Sequence, residues 1–432
     1  MKIAILGYGD QGRAARDYWS SAEHTLTICD QDESLILPDD VQLQLGPDYL
    51  KGLAEFDVIV RSPSVHPNDI LAANDPAVMA KVTTVTNEFL RICPTKNVIG
   101  VTGTKGKGTT STLVTKMLEA MGKRVHLGGN IGTPPLDLLK NNIHSEDFVV
   151  LELANFQLID LQYSPHIAVC LMVVPEHLNW HTDFTEYVAA KSQLFLHQSP
   201  DDVAVYFADS EVSEQIAHCS LGFKIRYYAE PGAYVEDGRI IMDGQSICRV
   251  DELKLLGKHN WQNACAAITT VWQINQDVPA LRNVLTTFTG LDHRLELVRE
   301  VGGVKYYNDS FGTTPETAIV AIEAFDEPKI VILGGSDKGA DYTELGKVVA
   351  SNNVRAAIVL GETAPKIKHA LTVAGYKTTL DGGTNMESIM RKLSEVAQSG
   401  DVVLFSTGSA SFDMFANYKD RGEQFRAAVK AL

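Results

Sequence analysis

Short runs of apolar residues, each ending at glycine or a polar cluster, alternate along this chain with stretches of helical apolar spacing. Such runs occupy residues 2–6, 26–29 and 57–60, then 98–101, 148–153 and 168–174, and finally 330–333, 356–360 and 402–405. Near-continuous apolar runs of this length predict parallel strands covered on both faces, with helical crossovers between them. The clearest helical pattern sets Leu113, Val114, Met117, Leu118 and Met121 on one stripe. Residues 221–256 have another texture. Alternating segments at 225–228, 239–242 and 247–250, with the turn Asp243-Gly244, predict a small antiparallel subsheet.

With 432 residues the chain is too long for one ordinary core, and the pattern divides into three α/β domains at 1–91, 92–290 and 291–432. No internal repeat or low-complexity linker separates them. Apolar content of 45% and charged content of 21% are those of a globular protein. No apolar run reaches the roughly 18–20 residues of a membrane span. Met1-Lys-Ile-Ala-Ile-Leu6 runs into a glycine turn and reads as a first strand rather than a signal peptide, which predicts a cytoplasmic protein. A net charge of −16 argues against a nucleic-acid partner. The six cysteines (29, 93, 170, 219, 248 and 265) lack metal-type spacing and read as buried reduced thiols.

The candidate chemistry begins at Val101-Thr-Gly-Thr-Lys-Gly-Lys-Gly-Thr-Thr110, between a predicted strand and a predicted helix. A glycine-rich turn there presents backbone N–H groups and the positive end of a helix dipole to an anion. Gly103, Thr104, Gly106, Gly108 and Thr109 would form the phosphate cradle, and Lys107 adds a mobile charge. The spacing is shorter than a full Walker pattern, whose first glycine would fall at Val101. A second turn, Gly7-Tyr-Gly9-Asp-Gln-Gly12, precedes a strand ending at Asp30 and has a dinucleotide-binding layout; alone it is a weak signal.

Four further features follow predicted strands or sit on helices. Glu152 interrupts an apolar run in Leu151-Glu-Leu-Ala-Asn-Phe-Gln157. A buried carboxylate there suits Mg²⁺ near phosphates, or else a lysine partner or a helix cap. Pro175-Glu-His-Leu-Asn-Trp-His-Thr-Asp183 carries His177 and His181 four apart, without the order of a zinc protease. Lys191 lies in the apolar stripe of Glu186-Tyr-Val-Ala-Ala-Lys-Ser-Gln-Leu-Phe195. It is either a desolvated amine able to capture CO₂ as a carbamate, or a lysine that snorkels to water. Asn260 and Asn263 share one helical face, suited to an adenine edge or to capping. His293-Arg294, Asn308-Asp-Ser-Phe-Gly-Thr313, Lys338 and Ser411 belong to the third domain.

Taken in order, Gly-Thr-x-Gly-Lys, Gly129-Asn-Ile-Gly132, Leu-Glu-Leu-x-x-Phe-Gln, Glu-His-Leu-x-x-His, Ala-Ala-Lys, Gly-x-His-Asn-x-x-Asn, His-Arg and Asn-Asp-Ser resemble the Mur ligase family over essentially the whole chain. The resemblance implies a Rossmann-like N-terminal domain for a uridine nucleotide and a central P-loop ATPase with a mostly parallel sheet. A Rossmann-like C-terminal domain would bring an amino acid. Within the family the likeness is greatest to members that add glutamate to UDP-N-acetylmuramoyl-L-alanine through an acyl phosphate, in peptidoglycan precursor synthesis. It further implies a monomer acting on small molecules with ATP and two Mg²⁺ ions.

Carried over motif by motif, Lys107 and Thr109 hold ATP phosphates, and Asn130, Asn260, Asn263, Arg294 and Asp309 complete the nucleotide site. Thr109, Glu152, His177 and a CO₂-derived carbamate on Lys191 serve the metal ions. Asp10, Gln11, Asp30 and Gln31 take the uridine substrate, and Thr313, Lys338, Ser411 and Tyr418 take glutamate. Three positions depart from the pattern. Gly108 stands where a hydroxyl residue is common, in a Gly-Lys-Gly form similar to folylpolyglutamate synthases. Phe311 replaces a common lysine, and Ala154-Asn155 replaces a Ser-Ser pair. Competing readings are a ligase for another amino acid or a folate, a regulatory nucleotide-binding protein, and an NAD oxidoreductase built on the first glycine turn.

Overall fold

The computed structural model describes every residue except 22, 38–40 and 256. The first sheet contains β1 (Lys2–Leu6), β2 (Thr25–Asp30), β3 (Gln42–Leu45), β4 (Val58–Arg61) and β5 (Val82–Thr83) in the order β3-β2-β1-β4-β5, all parallel. The second contains β6 (Val98–Thr102), β7 (Val125–Gly129), β8 (Phe148–Glu152), β9 (Ile167–Cys170), β10 (Val203–Phe207) and β11 (Phe223–Tyr227). Its order is β11-β10-β9-β6-β8-β7, again all parallel. The predicted α/β class is therefore the observed one. β6 and β8 are buried along their whole length, which is why neither alternates apolar with polar residues.

Two expectations change. The antiparallel subsheet is β12 (Tyr234–Glu236), β13 (Arg239–Met242) and β14 (Gln245–Arg249), without the segment at 225–228. That segment belongs to β11, a parallel edge strand whose exposed outer residues make it alternate. The apolar run 168–174 is only half a strand, because β9 ends at Cys170. Leu171 and Val173 are buried in the loop that follows, so burial without sheet pairing extended the apolar signal.

These three sheets belong to one compact unit, Met1–Leu253 with Lys258–Phe288. A continuous apolar core runs through it, from Ile5, Trp19 and Phe89 to Leu136, Leu151 and Phe195. Arg61, at the end of β4, is 1% exposed and forms a two-pronged pair with Asp160 at 2.7 and 2.6 Å. It also donates to the carbonyls of Ser62, Val65 and Phe156. At the first glycine turn, a Cβ on Gly12 would stand 2.1 Å from the Gly7 carbonyl oxygen. Gly12→Ala must push helix Asp10–Trp19 off β1 and is expected to cost about 1–3 kcal/mol in urea unfolding.

The second unit comprises Thr289–Leu432 and Lys254–Gly257. Its sheet contains β15 (Glu296–Val301), β16 (Val304–Asn308), β17 (Lys329–Gly334), β18 (Val354–Leu360), β19 (Thr379–Asp381) and β20 (Val402–Phe405). The order is β15-β16-β20-β17-β18-β19, parallel except for β15. Apolar layers cover both faces, around Leu333 and Leu371 on one side and Ile332 and Phe425 on the other. Among the described residues no helix is long and apolar enough to cross a membrane.

Candidate active site

In the first unit the chain leaves β6 for β7, returns to insert β8 between them, and then crosses to β9 on the other side of β6. The carboxyl ends of strands flanking such a switch point form a ready crevice. The predicted residues arrive there from neighbouring strands: the phosphate turn after β6, Asn130 after β7, Glu152 at the end of β8, and His177 after β9.

The turn is tightly built. Gly106 caps helix Lys107–Ala120 with φ of 88°, and a Cβ on it would stand 2.3 Å from Asn263 Oδ1. Asn263 therefore braces the turn. Its Nδ2 donates to Asn260 Oδ1 at 2.9 Å, and Thr110 donates to its Oδ1 at 3.4 Å. Asn260 lies within helix His259–Trp272, beyond its cap at Lys258. Thr104 faces inward, its hydroxyl shared with the Val174 carbonyl at 3.0 Å and the Tyr187 hydroxyl at 2.9 Å. Gly108 and Thr109 are buried in the first turn of the helix.

Two lysines meet beneath this turn. Lys107 Nζ donates to the carbonyls of Gly103 at 3.0 Å and Thr104 at 2.9 Å. Lys191 Nζ donates to the same Gly103 oxygen at 2.9 Å and lies 4.5 Å from the ring centre of Tyr187. Lys191 sits on helix Phe184–Leu196, is 0% exposed, and does not snorkel. Burial, reinforced by the Lys107 charge, pulls its amine down to about 7. A neutral amine can add to CO₂; an ammonium cannot.

Glu152 is 6% exposed, and among the described residues its one hydrogen-bond donor is Asn130 Nδ2 at 2.8 Å. It is not the cap of the helix that follows, which starts from Ala154. A buried carboxylate held by one neutral donor is a costly arrangement that a cation relieves. His177 is 41% exposed, and its φ of 58° is a left-handed conformation costing on the order of 1 kcal/mol for a non-glycine residue. Burial, then the charges of Lys107, Lys105 and Lys191, hold its imidazole below the usual range despite the neighbouring Glu176. It is thus neutral near pH 7, the form that ligates metals.

At the first glycine turn Asp30 is consumed by the backbone, accepting from Tyr8 N at 2.7 Å and Asp32 N at 3.0 Å. Asp10 pairs with Arg13 at 2.9 Å, Gln31 is exposed, and Gln11 reaches the Gly129 carbonyl at 3.4 Å.

In the second unit, Arg294, Asp309, Thr313, Lys338, Ser411 and Tyr418 all lie on or just beyond the β15, β16, β17 and β20 connections. Asp309 is buried, which pushes its carboxyl up to about 6, while Ser406 Oγ (2.6 Å) and Leu295 N (3.0 Å) donate to it. Arg294 stands between His293 and Leu295, both at positive φ (62° and 43°), with its guanidinium 5.4 Å from the Phe311 ring centre. Phe311 meets Tyr418 edge-on at 5.2 Å. The common lysine is thus replaced by an aromatic rest for Arg294. Lys338 lies 5.5 Å from the Phe412 ring centre, and Ser411 is buried. Arg421, which sequence reasoning missed, is 0% exposed and holds this loop through Ser310 Oγ (2.8 Å), Ser310 O (2.8 Å) and Ser409 O (3.0 Å).

Comparison with known proteins matches residues 101–271 to the Mur ligase middle domain and 293–409 to the Mur ligase, glutamate ligase domain. The UDP-N-acetylmuramoylalanine--D-glutamate ligase of Acetivibrio thermocellus is 35% identical, over 100% of this chain and 96% of its own. That of Symbiobacterium thermophilum is 36% identical over 100% and 98%. The chain belongs to the Mur ligase family.

Solved structures of Mur ligases share the fold. UDP-N-acetylmuramate-alanine ligase MurC from Thermotoga maritima superposes with a TM-score of 0.61 at 16% identity, covering 100% of this chain and 99% of that one. MurF ligase from the same organism, in complex with ADP, gives 0.58 at 19% identity, covering 87% and 90%. In this Mur ligase the Asn155 departure has a partner. Its Nδ2 donates to His181 Nε2 at 2.7 Å, and His181 Nδ1 meets Glu186 Oε2 at 3.0 Å. His66 Nε2 reaches the same oxygen at 3.3 Å. Sequence reasoning gave no role to His66 or Glu186; the signal was a histidine just after the polar turn that follows β4.

Proposed function

We propose that this Mur ligase joins D-glutamate to UDP-N-acetylmuramoyl-L-alanine at the expense of ATP, as a cytoplasmic monomer in peptidoglycan precursor synthesis. The observation that carries the reading is the meeting of Lys107 and Lys191 at one carbonyl in the turn after β6, with the buried Glu152 on the neighbouring strand, paired to Val101. Two ammonium groups at one oxygen repel, and a carbamate on Lys191 turns that repulsion into attraction. The names of the full-length relatives support the substrate assignment. Residues 1–91 hold the uridine nucleotide through Asp10, Gln11, Asp30 and Gln31, 92–290 hold ATP, and 291–432 hold glutamate through Thr313, Lys338, Ser411 and Tyr418.

A carboxylate is a poor acyl donor. Attack of the L-alanine carboxylate oxygen on the γ-phosphorus of ATP forms an acyl phosphate and releases ADP. The glutamate amine then adds to the acyl carbon, loses a proton, and expels inorganic phosphate as the amide forms. Lys107 neutralises charge on the transferred phosphoryl group, while the N–H groups of residues 103–109 orient it. Thr109, Glu152, His177 and carbamylated Lys191 fit two Mg²⁺ ions, which when bound supply further charge neutralisation. Asn130 keeps Glu152 oriented, and Asn263 keeps the turn in shape. Asn260 completes the nucleotide contacts of this unit.

Phosphate release from ATP, Mg²⁺ and UDP-N-acetylmuramoyl-L-alanine tests this directly. Release is expected with D-glutamate and not with L-glutamate. Absence of release with both overturns the assignment. Lys107→Ala is expected to lower kcat about 10²–10³-fold, the usual loss when one charge-stabilising donor is removed.

A further inference from the structure

His181 is buried, yet no role follows for it from the reaction above. Its cluster with His66 and Glu186 brings three potential ligand atoms within 4.8 Å of one another. In this structure those ligand atoms are engaged in hydrogen bonds. His66 Nδ1 accepts the Asn68 backbone N–H at 3.0 Å, so its Nε2 carries the ring proton and points it at Glu186. Asn155 Nδ2 donates to His181 Nε2, so His181 Nδ1 is likewise a donor to Glu186. Thr182 N adds a third donor to that oxygen at 2.9 Å. The arrangement is a closed network in which every ring nitrogen is used.

His177, by contrast, is weakly held by its own side chain. Its ring rests 4.8 Å from the Phe156 ring and 3.7 Å from Glu176 Oε2. Its backbone is gripped from the C-terminal side. Trp180 N and His181 N both donate to the His177 carbonyl at 3.0 Å, closing a turn around the left-handed φ. His181 anchors that turn in two directions, to Asn155 after β8 and to Glu186 in the first turn of the Lys191 helix. Phe156 also packs edge-on against Trp180 at 4.8 Å. The place of the His177 imidazole is thus set by the turn, and the turn is set by His181.

We propose that His181 is a positioning residue for His177, holding the imidazole at the metal site through the Asn155–His181–Glu186 network. This rests on the reading of His177 as a metal ligand. The expected signature is a selective loss of metal affinity. Outer partners of metal ligands are typically worth about 10–100-fold in affinity.

The test uses the full chain and Mn²⁺ alone, followed by the loss of the free-ion EPR signal, together with the Mg²⁺ dependence of phosphate release. His181→Ala is expected to raise the Mn²⁺ dissociation constant and the half-saturating Mg²⁺ about tenfold, with the KM for ATP changed less than about twofold. His181→Asn, whose Nδ2 can replace ring Nδ1 as donor to Glu186 but leaves Asn155 without its acceptor, is expected to fall between the wild type and His181→Ala. If His181→Ala unfolds, Asn155→Ala and Glu186→Ala, each removing one anchor, should show a smaller loss of the same metal-selective kind. Wild-type Mn²⁺ affinity in the folded variants overturns the inference, as does an equal loss of Mn²⁺ and ATP affinity. Wild-type protein that binds Mn²⁺ but releases no phosphate with glutamate would instead overturn the proposed reaction and leave the role of His181 standing.

Discussion

Replacing Lys191 by alanine is expected to lower the ligation rate by about 10³-fold or more, roughly 4 kcal/mol of transition-state stabilisation. The amine is completely buried, shares the Gly103 carbonyl with Lys107, and titrates near 7. Near neutral pH the site is therefore able to present the free amine that CO₂ requires. Carbon-13 NMR with labelled bicarbonate should show a carbamate resonance in the wild type that is absent from Lys191→Ala. Restoration of the variant by bicarbonate alone would count against the carbamate, since alanine has no amine to carry it.

The same burial has a stability signature in CO₂-depleted buffer. The native amine releases its proton near 7, whereas the unfolded chain keeps it to an ordinary lysine value. Between those values the unfolded state binds the extra proton, so Lys191 makes stability rise with pH by up to about 1.4 kcal/mol per unit. Its penalty is greatest below pH 7. Lys191→Met is expected to flatten this slope in urea unfolding measured from pH 7 to 10.

Arg61→Ala is the substitution expected to cost most in stability, about 3–5 kcal/mol, the range for breaking one side of a buried ion pair. Removing the guanidinium leaves Asp160 without its two-pronged partner and strips donors from three carbonyls. Asp160 is 18% exposed at its side chain, so water reaches it incompletely. Urea unfolding of the double variant Arg61→Met/Asp160→Leu should show a smaller loss than Arg61→Ala. A loss below about 1 kcal/mol for the single variant would place the pair among surface ion pairs in effect.

Much of the site was legible in order along the chain. Glycine at 103 and 106 is demanded by a turn that a side chain would obstruct, and Glu152 is visible because a carboxylate is unexpected in an apolar strand. Other residues carried no linear signal. Arg61 and Arg421 look like ordinary surface cations in sequence; their burial depends on carbonyls supplied by residues about a hundred positions away. Asp30 follows the first glycine turn in a dinucleotide-binding layout, but only folding shows that its carboxylate also accepts the backbone N–H groups of Tyr8 and Asp32.

By itself, the sequence determined the α/β class, the places of the buried parallel strands and the kinds of chemistry available. Those properties follow from periodicity and from local turn geometry. Tertiary structure alone decided that Lys107 and Lys191 share a carbonyl, that Asn263 braces Gly106, and that His66, His181 and Glu186 close a hydrogen-bonded network. The physical reason is that a pattern along the chain encodes which side chains are buried. It does not encode which partner, separated by tens of residues, completes each buried polar group.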